Sequence, residues 1–257
     1  MQARVLTPMH GARWLPLGWR IFKAAPIGWI AMVFAYVFLM TLVSILPVVG
    51  VVAAMMLVPG FSVSFMAASR AASRGSDIGL AILFSGFRER PQAQLALGAL
   101  YLALMLAMLG LSALADDGVL ARWLATGRRP DVEALKSDAF LGAIVLAALA
   151  YSQVMMLFWF SPVLVAWHGT GVPKALFFSY VAMLMNWRAF LAYGVVAAVV
   201  TVIVPFAPLA ALAALTSGKA QVTAAGMLFP VLLVIMPTLF GSFYASYREV
   251  FGVQGTA

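Results

Sequence analysis

Apolar residues in this chain come in long uncharged blocks, not in alternation. Ile27 to Leu46 is one such block, long enough for about 30 Å of helix, the thickness of a bilayer's hydrocarbon core. The chain then stays apolar as far as Ala68, too far for one crossing, and Leu46-Pro47-Val48-Val49-Gly50 supplies the break. This pattern predicts spans over residues 27–46 and 48–68, and further ones over 95–115, 139–166, 190–212 and 222–244. Ser161-Pro162 predicts a kink in the fourth, Pro205 and Pro208 interrupt the fifth, and Pro230 and Pro237 lie in the sixth. Residues 116–138 form a polar loop. The expected fold is all-α: one membrane domain over residues 1–257 with six transmembrane helices. The first block is too long for the apolar core of a cleaved leader, so it reads as a retained span.

The polar punctuation repeats. Gly18-Trp19-Arg20, Gly86-Phe87-Arg88 and Asn186-Trp187-Arg188 each stand just ahead of an odd-numbered span. In the second and sixth spans Pro59, Ser64-Phe65 and Arg70 recur in register as Pro237, Ser242-Phe243 and Arg248; the fourth keeps Pro162 but ends at His168. The reading is three pseudo-repeated hairpins, each opened by a short interfacial amphipathic segment. In the first segment Leu15, Trp19 and Phe22 share a helical face opposite Arg13, Arg20 and Lys23. The second sets Asp77, Ala81, Ser85 and Arg88 against Leu80, Leu83, Phe84 and Phe87. The third sets Ala175, Ser179, Ala182 and Asn186 against Leu176, Phe177, Tyr180 and Leu184.

Composition agrees: 65% of the 257 residues are hydrophobic and 9% charged, too few charges to coat a water-facing domain. Charge then orients the spans. Eleven Lys and Arg fall on the side of both termini, among them Arg13, Arg20, Lys23, Arg70, Arg74, Arg88, Arg188 and Arg248. Five, including Arg122 and Lys219, fall on the other. The positive-inside rule makes the first side cytoplasmic. With three acids there and five opposite, the whole net charge of +8 faces inward, which argues for topology and against nucleic acid. The basic residues named above, with Trp19 and Trp187, are candidate contacts for membrane lipids, anionic headgroups in particular.

Much chemistry is excluded. There is no cysteine, hence no disulfide, thiolate nucleophile or Fe–S cluster. None of the six blocks contains Asp, Glu, Lys or Arg, which argues against proton coupling. His10 and His168 lie too far apart in the chain to suggest a haem or zinc site, and no Walker loop or Gly-x-Ser-x-Gly elbow occurs. No catalytic residue, cofactor or metal site is expected. Asp116-Asp117 reads as a cap at a span's end more readily than as a metal pair. Of the polar groups inside the spans, Gln153, beside Ser152, is the amide that stands out, as an interhelical hydrogen bond or as the wall of a polar cavity.

The stretch from Gly11-Ala12-Arg13-Trp14 to Ala24-Ala25-Pro26 resembles the start of an uncharacterised family of proteobacterial six-span inner-membrane proteins, and the resemblance continues through Asn186-Trp187-Arg188. It implies a bacterial inner-membrane location and the six-span fold, and no activity. The leading expectation is a non-enzymatic scaffold or accessory protein working through lipids or partner proteins. The alternative is a passive or weakly coupled transporter or lipid-handling protein with a cavity between the hairpins.

Overall fold

The computed structural model describes residues 3–46, 48–203, 206, 210 and 221–252, with the side chains of 221–229 excepted. Every element among them is helical. In chain order they are α1 (Pro8–Ala24), α2 (Pro26–Ser44), α3 (Val49–Ser73), a 3-10 segment (Leu80–Phe87), α4 (Pro91–Asp116), α5 (Val119–Thr126), α6 (Val132–Lys136), α7 (Asp138–Phe158), α8 (Ser161–His168), α9 (Val172–Met185), α10 (Trp187–Ala198) running into a π turn (Val199–Ile203), and α11 (Gln221–Phe251). Proline opens five of them, at positions 8, 26, 91, 162 and 173. There its fixed φ suits a helix and its missing N–H would have had no partner anyway.

Five helical stretches are long and apolar enough to cross a membrane: Pro26–Ser44, Val49–Ser73, Pro91–Asp116, Asp138–His168 and Pro230–Phe251. A sixth is added if α9 and the α10–π stretch, bent 81° to one another, count as one broken span. The bend falls at Asn186, between the predicted interfacial segment and the predicted fifth span. Pro47, Pro205, Pro208 and Lys219 lie outside the described residues, as do most of the end of the fifth predicted span and the connection to the sixth. Large apolar side chains such as Phe34, Phe38, Leu106, Leu149 and Leu191 stand exposed along α2, α4, α7 and α10. In water such a surface would aggregate; against lipid tails it is matched to its solvent.

Lipid tails are as apolar as leucine, so burying leucine gives these helices no drive to associate, and close packing has to supply it. Glycines permit that approach. A Cβ on Gly18 of α1 would collide with the Thr238 carbonyl of α11, and one on Gly86 with the Gly60 carbonyl of α3. Thr238 and Gly60 each directly follow the repeated proline, so two corresponding glycines seat on corresponding carbonyls. Ser64 completes the second contact, donating to the Gly60 carbonyl (3.2 Å) and accepting the Gly86 N–H (3.0 Å).

The predicted kink in the fourth span is a full break at Trp159 and Phe160. Ser179 of α9 repairs it: its hydroxyl accepts the Phe160 N–H (2.9 Å) and donates to the Met156 carbonyl (2.8 Å), spanning the rung the helix lost. Buried Gln94, at the start of α4, donates to the Pro162 carbonyl at 2.9 Å. Opposite, Asp116 caps the turn into α5, its carboxylate accepting the N–H groups of Gly118 (3.0 Å) and Leu120 (2.7 Å). The loop after it is not irregular: α5 and α6 lie against α7 through Leu120, Phe140 and Ala143.

Candidate functional site

Where α2, α3, α4, α7, α8, α10 and α11 face one another they leave a cavity of about 840 Å³. Its walls are largely aromatic: Tyr36, Phe61, Phe65, Phe158, Trp159, Phe240 and Phe243, with Tyr101, Tyr151 and Tyr193 adding hydroxyls. The rings hold each other. Phe65 stacks on Phe240 at 3.9 Å, Tyr36 sets its edge to Phe65 at 5.2 Å, and Trp159 meets Phe243 edge-on at 4.8 Å. Such pairs are each worth roughly 0.5–1.5 kcal/mol beyond their burial, enough to keep the walls from collapsing inward.

The polar groups of this cavity are few and specific. The Tyr193 hydroxyl pairs with Ser242 at 2.8 Å, and Thr201 donates to the Ala197 carbonyl. The hydroxyls of Tyr36, Tyr101, Tyr151 and Ser62 have no hydrogen-bond partner among the described residues. These four are donors and acceptors available to whatever occupies the cavity.

A second feature closes one end of the bundle, where α3, α8 and α11 converge. Arg70 lies over the Trp167 ring at 4.3 Å, Trp167 meets Tyr247 edge-on at 5.5 Å, and His168 Nε2 sits 2.5 Å from the Tyr247 hydroxyl. His168 therefore has a partner of its own in a packed cluster. Arg90 ties the start of α4 to the end of α8 by donating to the Gly169 carbonyl at 2.7 Å.

The residues singled out by sequence are distributed differently from the expectation. Gln153 and Ser152 stand exposed on the outer side of α7 and take no part in the cavity. Gln153 accepts a hydrogen bond from Tyr180 of α9 (2.9 Å) and reaches Ser152 (3.2 Å). The enclosed amides are Gln94, one residue outside the predicted third span, and Asn186 at the α9–α10 bend.

The first segment also differs. Leu15 and Phe22 are buried, but Trp19 is 41% exposed, its ring tilted against Phe22 at 5.3 Å with Lys23 over it at 5.8 Å. The inward face is Gly11, Trp14, Leu15, Gly18 and Phe22, and it wedges α1 between α10 and α11. Trp14, wholly buried, donates its indole N–H to Glu249 at 2.8 Å. In α9 the small stripe Ala175, Ser179, Ala182 and Asn186 is the packed face, and Phe177, Leu184 and Trp187 point outward. Arg13, Arg20, Lys23, Arg74, Arg88 and Arg188 are exposed, Arg188 against Trp187 at 5.2 Å, while Arg70 and Arg248 are half-buried.

A probable inner membrane protein of Burkholderia thailandensis is 38% identical to this chain over 262 aligned positions, which take in 99% of this chain and 95% of that protein. The chain belongs to that protein's family of multi-pass inner-membrane proteins. The alignment takes in the first segment, residues 116–138 and the last helix of this chain. No protein-family model matches the chain, and no solved structure does.

Proposed function

We propose that this inner-membrane protein handles a lipid or another amphipathic molecule, held in the cavity between its spans. The single observation that carries this reading is the cavity: about 840 Å³, within the range of known ligand pockets, aromatic-walled, with four unpaired hydroxyls. An acyl chain suits such walls, and an ester carbonyl or glycerol hydroxyl suits Tyr36, Tyr101, Tyr151 and Ser62. The absence of Asp, Glu, Lys, Arg and His from all six apolar blocks supports a role without proton coupling or carboxylate–histidine catalysis.

The architecture of this reading is three related hairpins with both termini in the cytoplasm. The matched seats of Gly18 on α11 and Gly86 on α3 support the repeat. They also suggest its closure, since the first segment packs on the last span as the second packs on the span just before it. The eleven-to-five distribution of basic residues supports the orientation. The exposed residues Arg13, Lys23, Arg74, Arg88 and Arg188 then form a basic collar toward anionic headgroups.

The test is native mass spectrometry of protein extracted in mild detergent. Ala197 lines the cavity beside Tyr193, so Ala197→Trp fills it and removes the retained lipid. Val195→Trp, on the outward side of the same helix, leaves it in place. A scaffold working only through partner proteins would retain, or lack, lipid equally in both variants, and that result would reject the cavity reading.

A further inference from the structure

The central cavity leaves unexplained a second cleft, of about 570 Å³, between α1 and the ends of α3 and α11. Three guanidinium groups line it from three parts of the chain: Arg4 from the extended segment before α1, Arg20 from α1 and Arg248 from α11. The one acid beside them is Glu249, and its carboxylate already accepts the Trp14 indole N–H. Among the described residues no carboxylate lies within ion-pair distance of the three arginines.

This convergence is built. The segment carrying Arg4 is pinned by three hydrogen bonds: Arg4 N–H to the Val250 carbonyl (2.8 Å), Leu6 N–H to Asn186 Oδ1 (2.7 Å) and Asn186 Nδ2 to the Arg4 carbonyl (2.9 Å). The Arg4 guanidinium lies against Gly252, where a Cβ would displace it. Three guanidiniums against the single Glu249 carboxylate leave the cleft with a net positive charge, which an anion would offset. Arginine's planar fork suits phosphate oxygens, and the floor of Ile21 and Ala72 is apolar.

We infer that this cleft binds a phosphate group, with Arg4, Arg20 and Arg248 as its donors. The phosphate belongs either to the headgroup of an anionic phospholipid, whose glycerol end would meet the apolar floor, or to free inorganic phosphate. The site is separate from the central cavity and does not rest on it.

The experiment uses the full chain in detergent, with thermal unfolding followed as each probe is added: phosphatidylglycerol, phosphatidylcholine, or inorganic phosphate. The protein is stabilised by phosphatidylglycerol or by phosphate. The combined Arg4→Gln, Arg20→Gln, Arg248→Gln variant binds the effective probe about tenfold or more weakly, since the charge-assisted hydrogen bonds are gone. Arg122→Gln, Arg128→Gln, Arg129→Gln removes the same charge outside the basic collar and binds as the parent does. Arg20→Gln alone gives an intermediate loss, and it guards against a triple variant that fails to fold. A response to phosphatidylglycerol but not to phosphate assigns the site to a lipid; a response to phosphate, with the two lipids equal, assigns it to the free ion. Parent-like binding by the cleft triple variant, equal loss in both triple variants, or no stabilisation of the parent by any probe overturns the proposal. Ala197→Trp, which fills the other cavity, leaves this binding unchanged.

Discussion

At the scale of single residues, buried polar contacts in a lipid environment are few and each carries a definite job. Ser179 is the clearest: one hydroxyl satisfies both backbone groups freed at the Trp159–Phe160 break. Ser179→Ala strands an N–H and a carbonyl away from water and should cost roughly 1–3 kcal/mol, read as a lower unfolding temperature in detergent. Trp14→Phe keeps the ring but loses the bond to the Glu249 carboxylate, and should cost roughly 1.5–3 kcal/mol on the same measurement. The sequence made neither partnership readable. It offered Ser179 as one of a stripe of small residues, and the stripe was real. Its partner, however, was a break in a helix some twenty residues earlier, which no local periodicity reports. A face counted from Leu15 through Trp19 omits Trp14, whereas positions 11, 14, 18 and 22, counted from Gly11, lie on the buried face. Gln153 drew attention as an amide in an apolar run, yet being deep in a sequence block does not decide which way a helical side chain points.

At the scale of elements, the long apolar blocks made the spans legible, because hydrocarbon thickness sets their length and proline marks their ends. Predicted and observed starts of the first four spans agree within a few residues. The short segments between them were harder. Amphipathic patterns at Leu15, Ala175 and Leu80 do mark helical turns, but one face of each meets other helices, and a pattern of small against large residues says the same thing whether the small side meets water or backbone. The contacts decide it: Gly18 touches α11, so any side chain there must push α1 and α11 apart. Gly18→Val should destabilise the protein by about 3 kcal/mol or more and lower its yield in membranes. The exposed Gly171, with open space around the position of a Cβ, should accept alanine at little cost.

At the scale of the whole molecule, the distribution of charge supports the proposed orientation, and packing leaves an aromatic-walled pocket among the helices. The chain has no cysteine, so single cysteines can report topology. Ser76→Cys, on the basic side, should escape a membrane-impermeant maleimide added to intact spheroplasts, and Thr126→Cys, beyond α4, should react; the reverse pattern would invert the assigned topology. The hollow itself was invisible in the sequence. Its walls draw on aromatic residues scattered from Tyr36 to Phe243, and only the convergence of seven helices turns them into one site. A crystal structure grown from a lipid mesophase tests that central claim most directly. The cavity should hold an elongated molecule lying along Phe65, Phe158 and Phe243, with a polar end near Tyr36, Tyr101 or Tyr151. Side chains from the surrounding helices closing that space, with nothing bound between them, would contradict it.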